Sequence, residues 1–172
     1  NIIKKFIKYT NILKLTEEEL LFLFKNLNKE AAINILFKNK KLKYLIITLG
    51  DKGVELYINN YYNMYYYPAF KINVKDTVGA GDAFIGAFLG ELIKSKCNIN
   101  NNNVYEILKI CNATAALTLQ KHGSIAAIPK YKDVIEFVES YEKALMLFFF
   151  INLWLKHNIF KELINLLKIK YQ

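Results

Sequence analysis

Residues 76–82 read Asp76-Thr77-Val78-Gly79-Ala80-Gly81-Asp82, and an apolar stretch typical of a helix follows from Ala83 to about Lys94. Gly79 and Gly81 lack a Cβ atom, so the chain at this turn can approach a ligand closely. The first turn of a helix leaves backbone N–H groups unpaired, and their dipoles favour an anion. The turn therefore predicts a site for phosphate or another anion.

Asp82 is unusual at such a turn, because its negative charge competes with phosphate. The conflict disappears if Asp82 faces a hydroxyl group that must lose a proton while the N–H groups bind phosphate, as in a phosphotransferase. The alternative is a structural turn in which Asp82 caps the helix, and the pattern alone leaves both open. Neither a Walker A loop nor a dinucleotide fingerprint fits, since no Gly-Lys-Ser/Thr follows and Phe84 replaces the third glycine.

Strands and helices alternate on both sides of this turn. Hydrophobic patterning predicts strands at 11–15, 44–49, 54–58 and 70–74, and helices at 17–27, 29–37, 83–94, 104–119 and 131–141. Thr16 and Glu19 form a capping-box pattern, and Gly50–Gly53 predicts a tight turn between two strands. The order indicates an α/β domain with helices packed on a mainly parallel sheet.

Composition limits the remaining function classes. The chain has 172 residues, 53% of them hydrophobic, which excludes overall disorder and fits one domain of ordinary size. The net charge of +9 would suit nucleic acid, but arginine is absent, the lysines are dispersed and no base-reading motif is present. We therefore expect a solvated basic surface and no nucleic-acid partner. Cys97 and Cys111 have no CxxC spacing, which favours a reducing, cytoplasmic compartment.

The segment from Asp76 to Phe88 resembles the C-terminal signature of the ribokinase/pfkB carbohydrate kinases. Three other blocks follow the order of that family: residues 11–20, 47–53 and 112–129. The block Lys-Leu-Thr-Glu-Glu-Glu-Leu at 14–20 is most similar to the fructokinase-like branch. The resemblance implies a ribokinase-like three-layer α/β/α fold. It assigns residues 1–140 to the C-terminal, nucleotide-binding part of an incomplete kinase domain.

The resemblance also implies an ATP-dependent sugar kinase and a role for individual residues. Asp82 would be the catalytic base, and Gly79, Ala80 and Gly81 would supply an anion hole. The nucleotide would lie beside Thr48, Gly50, Lys52, Gly53 and Asn112. Glu19 and Thr16 would act on Mg²⁺ through water, although Thr16 replaces the usual Asn of the family. In relatives that use a monovalent cation such as K⁺, its ligands would be Asp76, Val78, Thr118, Lys121, Gly123 and Ala127.

Plainer interpretations of these residues stay open. Glu17–Glu19 could be ordinary first-turn acids, Asn112 a buried polar residue, and Lys52 a solvated turn lysine. The N-terminal half of the family, with its sugar-contacting groups and a β lid that often forms a dimer, has no counterpart before Asn11. We therefore expect very slow or no sugar phosphorylation by this chain alone, and we assign a homodimer to a full-length form. The alternative function is an inactive nucleotide-binding or scaffold relative.

The resemblance ends near residue 140, and residues 141–172 read as an apolar helical extension. Residues 144–155 contain a single polar residue, Asn152. This run is shorter than the roughly 20 residues that a transmembrane helix needs. The pattern favours a helix that packs on the domain or presents a partner surface over a membrane-surface anchor.

Overall fold

The computed structural model describes residues 2–59 and 63–170, with side chains through residue 157. The helices are α1 (Ile2–Ile7), α2 (Glu17–Leu23), α3 (Lys29–Leu36), α4 (Ala80–Lys94), α5 (Val104–Leu119) and α6 (Tyr131–Lys170). The strands are β1 (Ile12–Thr16), β2 (Tyr44–Thr48), β3 (Val54–Ile58) and β4 (Asn63–Tyr67). The chain divides into two compact units, Asn1–Tyr131 and Lys132–Gln172.

The first unit contains a mixed sheet of order β1-β2-β3-β4. β1 and β2 are parallel, whereas β2–β3 and β3–β4 are antiparallel. The α/β class is confirmed, but the described sheet is mixed rather than mainly parallel. The reason lies in the short connections at 49–53 and 59–62, since only antiparallel neighbours can be joined by so few residues.

Each face of the sheet is covered by its own helices. Leu45 and Ile47 of β2 face a hydrophobic core that is shared with α2 and α3. Ile46 faces the opposite core, in which Phe84 and Phe88 of α4 are at most 2% exposed. Because strand side chains alternate between faces, the apolar run of β2 serves both cores. This packing holds α4, and the turn before it, against one face of the sheet.

Local signals account for the ends of several elements. Thr16 and Glu19 form the predicted capping box at the start of α2. The predicted turn at Gly50–Gly53 is confirmed as a short 3₁₀ helix, Gly50–Lys52, with Gly53 at a φ of +119°. α4 begins at Ala80 rather than Ala83, because Gly79 adopts a left-handed conformation and starts the helix.

Residues 70–74 form no strand, contrary to the sequence prediction. The backbone N–H groups of Lys75 and Asp76 instead donate to the carbonyl oxygen of Leu119, at 2.8 and 3.2 Å. The segment before α4 is thus attached to the end of α5 and is not paired with the described strands. A short apolar run cannot by itself distinguish these two uses of the backbone.

The second unit consists of α6 beyond its first residue. The helix predicted at 131–141 and the predicted helical extension form one continuous helix to Lys170, which confirms that the C-terminal part is helical. Leu147, Phe148, Phe149 and Trp154 are each more than 60% exposed. None of the helices in the described residues is long and apolar enough to cross a membrane.

Candidate functional site

Gly79 fixes the conformation of the turn before α4. Its φ of +83° lies in the left-handed region that side-chain-bearing residues rarely adopt. A Cβ atom at this position would lie 2.9 Å from the Cα atom of Ser124 in the loop after α5. The backbone conformation and the close approach of this loop therefore both require glycine here.

The turn presents backbone donors without partners. The N–H groups of Gly79, Ala80 and Gly81 form no hydrogen bond with the described residues. The first helical bond runs from the N–H of Ala83 to the carbonyl oxygen of Gly79, at 2.8 Å. Unpaired N–H groups at the start of a helix attract anions because the helix dipole adds to their own partial charge.

Asp82 lies in the first turn of α4, directly after these donors. Its side chain is exposed, and it forms no hydrogen bond or ion pair within residues 2–59 and 63–157. No side-chain capping hydrogen bond is present at the start of α4, so the structure does not support the alternative in which Asp82 only caps the helix. Its carboxylate is therefore open to accept a proton or a hydrogen bond from a ligand.

Lys14 of β1 also reaches the turn. Its Nζ atom lies 2.6 Å from the position that a Cβ atom of Gly81 would occupy. Sequence reasoning missed this residue, although it is the charged residue in the otherwise apolar run Ile12-Leu13-Lys14-Leu15. The arrangement combines a positive charge, unpaired N–H groups and a free carboxylate, which are the groups that phosphoryl transfer uses.

Asp76 joins the start of the turn to the loop after α5. Its Oδ1 atom accepts a hydrogen bond from Val78 N at 3.0 Å, and Oδ2 accepts one from Gly123 N at 2.9 Å. These bonds, that from Gly123 above all, hold the pKa of Asp76 below its ordinary value. Asp76, Val78 and Gly123 of the predicted cation set are thus brought together.

The other residues of the predicted cation set lie in or after α5. Thr118 is buried and its hydroxyl donates to the carbonyl oxygen of Thr114 at 2.9 Å, while its own carbonyl accepts Lys121 N at 3.2 Å. Ala127 is buried and Lys121 is exposed. No hydrogen bond joins these three described residues to Asp76.

The predicted nucleotide side follows β2. Thr48 pairs in register with Thr16 of β1. Gly50 and Lys52 are exposed, and the carbonyl oxygen of Lys52 accepts a hydrogen bond from the Tyr66 hydroxyl at 2.6 Å. Gly53 is buried, and a Cβ atom there would lie 2.1 Å from the Tyr67 carbonyl oxygen. This turn therefore brings exposed backbone and one lysine to the end of the strand.

Asn112 lies inside α5 and is only 9% exposed. Its amide nitrogen donates to the carbonyl oxygen of Leu108 at 3.1 Å, one helical turn earlier. This is the contact expected of a buried polar residue, the alternative that the sequence left open. The side chain is not presented at the surface of the described chain.

The sequence predicts one carboxylate, that of Glu19 after β1, as a ligand for a divalent cation. Glu19 is exposed, and one of its oxygen atoms accepts a hydrogen bond from Thr16 N at 2.7 Å. Within the described residues, no group of three or more His, Cys, Asp or Glu side chains could hold a metal ion. A single exposed carboxylate fits Mg²⁺ that is bound together with phosphates, since this ion keeps most of its water and needs few carboxylates.

A family model described as pfkB family carbohydrate kinase matches residues 2–131. The chain belongs to this family. The match ends at the last residue of the first compact unit. Membership confirms the resemblance that the sequence signature indicated, and the pfkB assignment covers every predicted site residue.

Known relatives agree with the pfkB assignment. Fructokinase-1 from Zea mays is 33% identical over 130 residues, which are 75% of this chain and 40% of that protein. The crystal structure of a ribokinase from Thermotoga maritima is 30% identical with a TM-score of 0.67, covering 79% of this chain and 44% of that one. Fructokinase with bound ATP from Xylella fastidiosa has the same fold, with a TM-score of 0.71 and 22% identity over 79% of this chain and 44% of that one. The pfkB chain thus spans about two fifths of the length of these relatives.

Proposed function

We propose that this chain is the nucleotide-binding part of a fructokinase-like sugar kinase, which transfers the γ-phosphoryl group of ATP to a sugar hydroxyl. The observation that carries the proposal is the open carboxylate of Asp82, directly after the unpaired N–H groups of Gly79, Ala80 and Gly81. The two features together supply a proton acceptor and the donors that stabilise a phosphoryl group, which are the groups that phosphoryl transfer uses.

In this proposal the turn and Asp82 act on different partners. The N–H groups hold the transferring phosphoryl group and stabilise the negative charge on its oxygen atoms. The oxygen atom of the sugar hydroxyl attacks the γ-phosphorus while Asp82 accepts the proton of that hydroxyl. The bond between the γ-phosphorus and the bridging oxygen breaks, and ADP leaves. Because the turn is fixed by Gly79 against Ser124, the donors are already oriented before the nucleotide binds.

The nucleotide would be bordered by Thr48, Gly50, Lys52 and Gly53 at the end of β2. Asn112 is buried within α5, so it would act on the adenine side through the packing of that helix and not by direct contact. Mg²⁺ bound with ATP would shield the phosphate charges, and Glu19 with Thr16 would hold it through water. The carboxylate of Asp76, with carbonyl groups of Val78, Thr118, Lys121, Gly123 and Ala127, would take a monovalent cation such as K⁺.

Fructose is the first acceptor to test, because relatives such as Fructokinase-1 from Zea mays are named fructokinases. We infer that sugar-positioning residues outside the matched region are needed for fast transfer, since positioning supplies much of the rate in such reactions. A longer form would be the one to form homodimers, and the cytoplasm is the proposed compartment.

The proposal is tested first by calorimetric titration of the 172-residue chain with MgATP, for which we expect saturable binding. Transfer is tested in a chimera of Zea mays Fructokinase-1 in which its 130 matched residues are replaced by those of this chain. We expect the chimera to form fructose phosphate, and Asp82→Asn to lower the rate by about 10²- to 10⁴-fold. Glu30→Gln removes an exposed carboxylate on α3 and is the matched control.

The second candidate is a nucleotide-binding or scaffold protein without transferase activity, in which α6 contacts a partner. The exposed apolar residues of α6 between Leu145 and Leu155 favour it. MgATP binding by the chain, together with a folded chimera that forms no fructose phosphate, would support this alternative.

A further inference from the structure

We propose that Lys14 is a phosphate-binding residue whose ammonium group contacts the terminal phosphates of the nucleotide at the Gly79–Gly81 turn. This assignment rests on the proposed function, because it requires that phosphate binds at this turn. It adds a side-chain charge to a site that otherwise offers backbone donors.

The strand register places Lys14 on the α4 face of the sheet. Lys14 pairs with Ile46 of β2, Ile46 with Leu56 of β3, and Leu56 with Tyr65 of β4. Ile46, Leu56 and Tyr65 are all buried in the core that contains Phe84 of α4. Lys14 therefore ends a row of core residues, at a position where an apolar side chain would extend that core.

The ammonium group of Lys14 occupies the space that Gly81 leaves. A Cβ atom at Gly81 would lie 2.6 Å from Lys14 Nζ and 3.5 Å from its Cε, and, apart from its sequence neighbours and the backbone of α4, no other atom lies within 4 Å of that position. Gly81, unlike Gly79, does not have a positive φ. The backbone conformation thus does not require glycine at 81, and a Cβ atom there would displace the Lys14 ammonium group from its position.

Lys14 has no anionic partner within the described chain. It forms no ion pair or hydrogen bond with residues 2–59 and 63–157, although it is only partly exposed. Lys29, a comparably half-buried lysine, instead contacts Glu17 and Glu55 at 2.9 and 2.7 Å. An uncompensated ammonium group beside unpaired N–H groups has the charge and donors to bind an anion.

This role predicts opposite effects on binding and on stability. Lys14→Met removes the charge but keeps an unbranched side chain of similar length, which can extend the core row. We therefore expect unchanged or higher resistance to urea together with weaker nucleotide binding, since residues placed for function often lower stability. A merely structural lysine would show lower stability and unchanged binding.

The test is calorimetric titration of the full 172-residue chain with MgATP and with AMP. For Lys14→Met we expect MgATP affinity to fall about ten- to a hundredfold, because a charge-assisted contact is lost. AMP affinity should change by less than about twofold, since AMP lacks the terminal phosphates. Lys14→Arg should retain most of the MgATP affinity. Lys38→Met, which removes an exposed lysine after α3, is the matched control and should bind as the unmodified chain does.

Gly81→Ala provides a second test of the contact between Lys14 and the nucleotide phosphates. Its Cβ atom would displace the Lys14 ammonium group while it leaves the charge and the backbone N–H in place. We expect Gly81→Ala to bind MgATP more weakly than the unmodified chain. The double variant with Gly81→Ala and Lys14→Met should bind MgATP no more weakly than Lys14→Met alone, because both changes remove the same contact.

The outcomes separate the two proposals. If the unmodified chain binds no MgATP, the proposed function fails and the role of Lys14 fails with it. If that chain binds MgATP but Lys14→Met binds it within about twofold, or loses AMP affinity equally, the role of Lys14 alone is overturned.

Discussion

The carboxylate of Asp76 accepts a hydrogen bond from the backbone N–H of Gly123 at 2.9 Å. Together with the bond from Val78 N, this contact joins the segment before α4 to the loop after α5. The same loop approaches Gly79 through Ser124. The turn that carries the proposed chemistry is therefore held on two sides by residues distant in sequence.

The Asp76 contacts predict a pH-dependent stability. Because the pKa of Asp76 is lowered in the folded chain, its contribution is complete above the ordinary value of 3.8 and is lost as pH falls through the folded pKa. Asp76→Asn should lower the free energy of unfolding in urea near neutral pH, and this difference should shrink in acid. An equal difference at every pH would contradict the assignment. Glu30→Gln is the control and should show no such difference.

Gly79 and Gly86 form a matched pair for the turn geometry. Gly79→Ala should destabilise the fold by at least about 1–2 kcal/mol, because of its left-handed φ, with a further penalty from the contact with Ser124. Gly86 lies within α4 with open space around its Cβ position, so Gly86→Ala should stabilise by about 0.5–1 kcal/mol. Urea denaturation measures both. Similar effects of the two substitutions would contradict the described turn.

Phe88 tests the packing of α4 on the sheet. It is fully buried and its ring meets that of Tyr44 edge-on, at a centroid distance of 5.9 Å. Phe88→Ala should destabilise by about 3–5 kcal/mol through loss of burial and formation of a cavity. Phe6 is 68% exposed, so Phe6→Ala should change stability by less than about 0.5 kcal/mol. Comparable losses at both positions would show that α4 does not pack as described.

The reactivity of the two cysteines tests the packing of α5 without a substitution in its buried face. Cys97 is exposed, whereas Cys111 is buried and burial raises the pKa of its thiol. A thiol-specific reagent at neutral pH should modify Cys97 rapidly and Cys111 only after unfolding. Cys97→Ser should abolish the fast phase. A fast phase that survives this substitution would place Cys111 at the surface.

The sequence predicted the parts of the fold that local interactions determine. The capping box of Thr16 and Glu19 and the turn at Gly50–Gly53 depend on neighbouring residues, and both were predicted correctly. The strand expected at 70–74 was wrong, and the residues directly after it, Lys75 and Asp76, are attached to Leu119 of α5 through a distant contact. Hydrophobic patterning carries no information on such partners.

The candidate site shows the same division. The glycine turn and Asp82 lie in one continuous segment, so their spacing predicted an anion site before any fold was known. Lys14 reaches Gly81 because α4 packs on the face of the sheet on which the register of β1 places Lys14. In the sequence, Lys14 is marked only as a charged residue inside an apolar strand. This pattern indicates that the residue has a role other than packing, but it does not predict the contact with Gly81.

Binding of nucleotide phosphates at the Gly79–Gly81 turn is tested most directly by amide NMR spectra of the ¹⁵N-labelled chain during a MgATP titration. We expect the N–H signals of Gly79, Ala80, Gly81 and Asp82 to shift together and to saturate with the affinity measured by calorimetry. Gly86 in the interior of α4 serves as the internal reference and should shift little. Saturable binding that leaves the signals of the turn unmoved would contradict binding at this turn.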